Sequence, residues 1–121
     1  MDVQDFLIQG DGSEEDKREA WQLFQQAYEL QMKGQLEEAV SLYKLSLATH
    51  QTAEAYTFLG WTYSFMGKLD EAIEECHKAI ACDPHFGNPY NDIGAYLIEK
   101  GDLDEAIPWF QKAMQATRYE S

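Results

Sequence analysis

Two cysteines and two histidines lie close together in the chain and raise the question of a metal site. Cys76 and His77 are adjacent, and Cys82 and His85 follow a few residues later. Thiolate sulfur and imidazole nitrogen are common zinc ligands, usually with a Cys-x-x-Cys pair, and no such pair occurs here. The two cysteines are separated by about 240° around one helix, so their side chains diverge. The sequence therefore predicts no metal site and no cofactor.

Residue sets for catalysis are equally hard to find. No serine or cysteine is accompanied by a recognisable base with an orienting partner, and no glycine-rich phosphate loop follows a strand. The glycines recur instead at turns and at packing positions inside helices. We therefore predict that the chain is not an enzyme.

The chain is strongly acidic, with 22 Asp and Glu against 9 Lys and Arg in 121 residues and a net charge of −13. This charge repels the phosphates of nucleic acids and anionic lipids, so we expect neither nucleic acid nor membrane as a partner. Solubility explains many of the acids, since Glu37-Glu38 and Asp70-Glu71 fall in the first turns of predicted helices, where the helix dipole favours carboxylates. Attraction of a basic partner is the alternative interpretation.

The N-terminal residues carry acids where a signal peptide needs positive charge. Two cysteines do not form a disulfide framework, and no apolar run approaches the roughly 20 residues of a membrane span. We expect a cytoplasmic protein with a single domain.

Residues 53–86 contain the unit around which the chain is organised. Two apolar patterns with helical spacing predict two amphipathic helices, the first ended by Gly67 and the second by Asp83-Pro84. The apolar positions of the two helices are, in order, Tyr56, Leu59, Gly60 and Tyr63, then Ala72, Ile73, Cys76, Ala79 and Ile80. The unit therefore reads as a helical hairpin.

This unit recurs along the chain. Gly34, Gly67 and Gly101 are separated by 33 and 34 residues and open the matching segments GQLEEA, GKLDEA and GDLDEA. Small residues recur inside the first helices, and glycine there costs about 1 kcal/mol relative to alanine, so Gly60 and Gly94 predict that another helix passes very close. A period of this length, repeated three times, indicates a helical repeat array.

Local signals also predict where helices begin. Ser13 begins a first helix that is longer than its counterparts and runs to about Lys33, and Thr52 can cap a later helix. Asn88 is predicted to cap a helix with Pro89 at its first position, and Asp102 with Glu105 resembles a capping box. Pro108 is expected to bend the last helix without breaking it.

The motif of the second unit resembles the tetratricopeptide repeat. It consists of Tyr56, Leu59-Gly60, Tyr63, Ala72, Ala79 and Pro84. The resemblance covers about residues 20–118, and its first copy departs most, with Gln26 for the usual leucine. It implies an all-α, right-handed superhelical solenoid of three antiparallel helix-turn-helix repeats at about 20–52, 53–86 and 87–120. A flexible acidic segment, 1–12, would precede this domain of residues 13–121.

The first helix of each repeat carries a second stripe of side chains, beside the stripe that is predicted to face the core. The resemblance implies that first helices line a concave groove where extended or helical peptides bind, so the function it implies is that of a protein-interaction scaffold. Packing between repeats is the alternative use of the stripe. The candidate groove residues are Trp21, Phe24, Tyr28, Glu54, Trp61, Phe65, Asn88, Asn91 and Glu99.

The groove residues suggest the chemistry of a partner. Aromatic groups would hold apolar or aromatic anchors, and Glu54, Asp92 and Glu99 would favour at least one basic residue. Some family members bind an acidic C-terminal tail through lysine, arginine and asparagine. The aligned positions here lack the basic residues, which makes such a tail the wrong ligand. These positions hold Phe24, Tyr28, Thr57, Phe58, Asn88 and Asp92.

The last repeat leaves an apolar face without a following repeat. Ile107, Trp109 and Met114 are the candidates for this face, and arrays usually end with a polar capping helix. Three outcomes are open: the natural protein continues, Phe6-Leu7-Ile8 of a neighbour covers the face, or two such ends pair. Pairing would give a homodimer, and a self-assembling subunit is the alternative function.

Overall fold

The computed structural model describes residues 13–119, which form six helices and no sheet. The predicted flexible segment 1–12, with Phe6-Leu7-Ile8, lies outside the described residues. No helix within 13–119 has the length and apolar character needed to cross a membrane. The helices are α1 Glu14–Met32, α2 Leu36–Thr49, α3 Ala53–Phe65, α4 Leu69–Cys82, α5 Asn88–Lys100 and α6 Leu103–Gln115.

Consecutive helices pack as three hairpins, α1 with α2, α3 with α4, and α5 with α6. Each hairpin also packs on the next one, through α2 with α3 and α4 with α5, and α3 contacts both of the other first helices, α1 and α5. The predicted solenoid of three helical hairpins is confirmed.

The turn inside each hairpin is set by one glycine. Gly34, Gly67 and Gly101 have φ values of 79°, 76° and 88°, a left-handed conformation that side chains disfavour. The residue after each glycine donates its backbone N–H to a carbonyl five residues earlier, as Gln35 does to Leu30 at 2.9 Å. The same closing hydrogen bond recurs three times, and the predicted helix end at Gly67 is confirmed.

The predicted capping interactions at the helix starts are present at two positions and absent at two others. The hydroxyl of Ser13 accepts from the backbone N–H of Asp16 at 3.0 Å, and that of Thr52 accepts from Ala55 at 3.1 Å. The predicted cap at Asn88 is wrong, because α5 already includes Asn88 and is preceded by Gly87. The predicted capping box at Asp102 is also wrong, because its side chain makes no capping hydrogen bond.

The helices of a hairpin approach closely where the sequence carries small residues. A Cβ atom on Gly60 would lie 2.9 Å from the carbonyl oxygen of Ala72, and one on Gly94 would lie 2.6 Å from the ring of Phe110. Ala72 is fully buried against this crossing. The predicted close approach at both glycines is confirmed, and it locks the relative position of the helices in the second and third hairpins.

A short segment after α6, residues 116–119, turns back along the loop between α4 and α5. We call it the C-terminal strap. The backbone N–H of Gly87 donates to the carbonyl of Arg118 at 2.7 Å, and the N–H of Arg118 donates to the carbonyl of His85 at 3.1 Å. Phe86 and Arg118 thereby form an isolated parallel bridge. The strap joins the last helix to the junction between the second and third repeats.

Candidate partner-binding site

Four aromatic rings form a continuous surface where α1 meets α3. Phe58 is at the centre, with ring centroids 5.8 Å from Tyr28 and 5.9 Å from Trp61, and Trp61 continues to Phe65 at 5.0 Å. Tyr28 and Phe65 are 40% and 54% exposed, and Phe58 and Trp61 are half-buried. These four residues are called the aromatic face below. Phe58 was absent from the candidate set, although its position on the same helical face as Trp61 and Phe65 could have indicated it.

Phe24 belongs to the core, which corrects its assignment as a ligand contact. Its side chain is 3% exposed and its ring lies 5.7 Å from that of Tyr43 and 5.1 Å from that of Phe58. Tyr43 on α2 is fully buried and donates its hydroxyl to Oε1 of Gln31 at 2.6 Å. Phe24 therefore supports the aromatic face from beneath, and a ligand could not reach it.

Glu54 also differs from its predicted role. Its side chain is fully buried, and Oε2 accepts a hydrogen bond from Nη1 of Arg118 at 2.8 Å. The same guanidinium binds Oδ2 of Asp83 at 2.6 Å and lies 4.4 Å from the ring centroid of Phe86. The charge of Glu54 is thus compensated within the chain, so Glu54 is not a ligand contact.

The remaining groove candidates lie on the first helices and differ in how far their side chains are exposed to solvent. Trp21 is half-buried against the core of the first repeat, and Asn88 is half-buried at the start of α5. Asn91 and Glu99 are exposed on α5. Exposed apolar side chains accompany them, since Met32 is 51% and Ile98 is 47% exposed. A surface made from three first helices therefore offers apolar, amide and acidic groups.

Asp92 is a half-buried carboxylate on α5 whose charge is not compensated within residues 13–119. No hydrogen bond or ion pair joins it to a residue of this range, and burial raises its pKa to about 7. A basic group placed beside it would recover part of the lost solvation and favour the charged form. This property suits a site for a lysine or arginine of a ligand.

The far end of the array exposes one side of α6. Leu103, Ile107 and Met114 are 60%, 55% and 85% exposed. Trp109 does not join them, which corrects its assignment to this face. Its ring packs back on the second repeat, with its centroid 5.3 Å from that of His77.

The cysteines do not form a reactive or metal-binding centre in the part of the chain that the structure describes. Cys76 is fully buried, and burial raises the pKa of its thiol well above the usual value. Cys82 is exposed at the end of α4. No three His, Cys, Asp or Glu side chains come together as metal ligands within residues 13–119. A buried thiol of raised pKa behaves as a small apolar side chain.

Comparison with known families identifies each hairpin as the same repeat. Models described as tetratricopeptide repeat match residues 22–48, 53–86 and 88–119. These matches together include all or part of each of the six helices.

Curated proteins match parts of the chain. The chain is 27% identical over 75 residues to the TPR repeat-containing thioredoxin TTL4 of Arabidopsis thaliana, covering 61% of this chain and 11% of that protein. It is 25% identical over 81 residues to the heat shock protein STI1 of Saccharomyces cerevisiae, covering 65% and 14%. A photosystem I assembly protein Ycf3 of Prochlorococcus marinus is 27% identical over 112 residues, covering 84% and 65%. The chain therefore spans a small part of the first two relatives and about two thirds of the third.

Solved structures share the fold. MamA superposes with a TM-score of 0.76 at 32% identity, covering 79% of this chain and 57% of that one. The second TPR of Spaghetti (RPAP3), bound to the HSP90 peptide SRMEEVD, has a TM-score of 0.77 at 20% identity, covering 87% of this chain and all of the other. At this lower identity the likeness concerns the fold alone.

Proposed function

Because this chain belongs to the tetratricopeptide repeat family, we propose that it is a protein-interaction scaffold that binds a partner peptide or helix on its first helices, with no catalytic step. The aromatic face carries this proposal. Tyr28 and Phe65 of this face remain exposed although the core of the first repeat is already filled by Phe24 and Tyr43. Soluble proteins seldom leave contiguous aromatic surface uncovered without an interaction to serve.

The ligand follows from the side chains on this surface. Tyr28, Trp61 and Phe65 suit aromatic or aliphatic anchors, and the amide of Asn91 suits a peptide backbone. The uncompensated carboxylate of Asp92, with the exposed Glu99, favours a lysine or arginine on the ligand. An acidic tail such as the SRMEEVD peptide bound by the second TPR of Spaghetti does not suit this surface. A cytoplasmic location stays a prediction of the sequence.

The test is a selection from a random peptide library, with Tyr28→Ala/Trp61→Ala as the counter-selected variant. We expect peptides enriched in aromatic residues next to lysine or arginine, with binding lost in the double variant. Leu45→Ala, which removes an apolar side chain that is 51% exposed on α2, is the matched control and should bind as wild type does. Circular dichroism checks that all three proteins keep their helicity. Peptides that bind the double variant as tightly as wild type would refute the site.

Self-assembly through the exposed side of α6 is a second candidate function. The three apolar side chains on this side, Leu103, Ile107 and Met114, favour it. Light scattering on a size-exclusion peak should show mass rising with concentration for wild type and a constant monomer mass for Ile107→Glu/Met114→Glu. A wild type that stays monomeric at the highest concentration would exclude assembly through this surface.

A further inference from the structure

A pocket of about 370 Å³ lies on the second helices, between the C-terminal ends of α4 and α6 and the start of α5. It is formed by residues outside the aromatic face, and the proposed groove does not use them. We call it the second-helix pocket. Its wall is formed mainly by His77, Ile80, His85, Tyr90, Trp109 and Lys112.

The aromatic part of the wall is held in place by several contacts. Trp109 contacts His77 edge to face, and its ring centroid lies 6.3 Å from that of Tyr90. Tyr90 donates its hydroxyl to the carbonyl of Pro84 at 2.9 Å, which fixes the ring at the mouth of the loop. The indole is therefore a rigid apolar surface against which a ligand side chain could pack.

The wall is free of acidic residues, which is unusual in a chain with 22 Asp and Glu among 121 residues. It instead contains two histidines and Lys112, whose Nζ lies 4.3 Å from the Trp109 ring centroid and forms no ion pair with any residue of 13–119. Asp83 is next to the wall in sequence, but its carboxylate binds Arg118 and the backbone N–H of His85. The charge facing the pocket is therefore positive.

We propose that the second-helix pocket is a separate binding site for an acidic peptide segment. An aromatic or aliphatic side chain of the peptide packs against Trp109, and a neighbouring carboxylate pairs with Lys112. The imidazoles of His77 and His85 and the amide of Gln115 donate further hydrogen bonds to the same carboxylate or to the peptide backbone. The charge preference is opposite to that of the aromatic face, so the two sites would take different peptides.

The test follows the three tryptophan indole N–H signals by NMR, with the Trp109 signal assigned by Trp109→Phe. The probe is the blocked peptide Ac-GDFLEG-NH2, and its neutral counterpart Ac-GNFLQG-NH2 keeps the apolar residues. We expect the acidic peptide to shift the Trp109 signal, with a weaker effect from the neutral peptide and at high salt. Lys112→Gln should weaken binding about fivefold, the size expected for an exposed ion pair. Lys44→Gln, at an exposed lysine of α2, is the matched control and should change nothing.

Three results would overturn the proposal. The first is no Trp109 shift at millimolar peptide, and the second is equal binding of the acidic and neutral peptides. The third is a shift of Trp61 in place of Trp109, which would assign the acidic peptide to the aromatic face. Failure of the aromatic face in the library selection leaves this pocket unaffected, since Tyr28→Ala/Trp61→Ala alters none of its wall residues.

Discussion

Arg118 and Glu54 are 64 residues apart in the chain, yet Nη1 of the arginine lies 2.8 Å from Oε2 of the glutamate. Glu54 is at the start of α3, and Arg118 follows the last helix. Asp83 lies between them in the chain and binds the same guanidinium at 2.6 Å. One side chain thus ties the C-terminal strap to the second repeat at two points.

Replacement of Arg118 by methionine should destabilise the protein. It would leave the fully buried carboxylate of Glu54 without its cation. Loss of one partner from a buried pair typically costs about 3–5 kcal/mol, and we expect about 1–3 kcal/mol here because the Arg118 side chain is 32% exposed to water. Urea unfolding measures the change. Glu54→Gln/Arg118→Met should cost less than the sum of the two single variants, and strict additivity would contradict the coupling.

Acid should weaken the link between Arg118 and Asp83. Burial alone would raise the pKa of Asp83, but hydrogen bonds from Arg118 and from the backbone N–H of His85 outweigh it and hold this pKa below the usual value. An acid with a lowered folded pKa stabilises the protein above its unfolded pKa of about 3.9, and the stabilisation disappears as the pH falls through the folded pKa. The stability difference between wild type and Asp83→Asn should be full at pH 7 and shrink below about pH 4. Asp102→Asn, at an exposed aspartate, serves as the control.

Asp92 should have the opposite effect on stability. Burial raises its folded pKa to about 7, so the folded protein holds a proton that the unfolded chain releases near pH 4. Stability therefore decreases as the pH rises from about 4 to 7, and Asp92→Asn should be more stable than wild type at pH 8. The gain is at most on the order of 4 kcal/mol, since one pKa unit corresponds to about 1.4 kcal/mol. Urea midpoints between pH 4 and 8 measure it, and a difference independent of pH would contradict the prediction.

Gly60→Leu should disrupt the second hairpin. The new Cβ would lie 2.9 Å from the backbone carbonyl of Ala72, which cannot move without shifting α4. Overpacking of this kind costs about 1–3 kcal/mol. Ala48→Leu places the same side chain at an exposed position of α2 and should leave the urea midpoint nearly unchanged. An unchanged midpoint for Gly60→Leu would mean that the two helices can separate at little cost.

Features that depend on a few neighbouring residues could be predicted from the sequence. The left-handed turns at Gly34, Gly67 and Gly101 are local, because the glycine and the carbonyls of the preceding turn together close the helix. The caps at Ser13 and Thr52 are local in the same sense. Helical periodicity also indicates which side of each helix faces the core. The threefold repetition of the helical hairpin in the sequence predicts the solenoid.

Candidate site residues were harder to predict. Helical periodicity indicates the side of the helix on which a residue lies, but it does not indicate how far other segments bury its side chain. Glu54 and Asn88 occupy equivalent positions in their repeats, yet Glu54 is fully buried under the strap and Asn88 is half-buried. Trp109 and Ile107 are close in sequence, yet Trp109 contacts the preceding repeat and Ile107 contacts solvent. The sequence offered one indication that Arg118 contacts the loop after α4. Arg118 lies 33 residues, one repeat period, after His85, and its backbone N–H donates to the carbonyl of His85.

The sequence by itself thus determined the six helices, the turns between them and the close crossing at Gly60, because local hydrogen bonds and side-chain volume decide these features. Only the tertiary structure decided that Arg118 pairs with Glu54 and that burial raises the pKa of Asp92. Pairing and burial of charges depend on which distant segments meet. The strap reaches α3 across 64 residues of chain, and no local pattern encodes that contact.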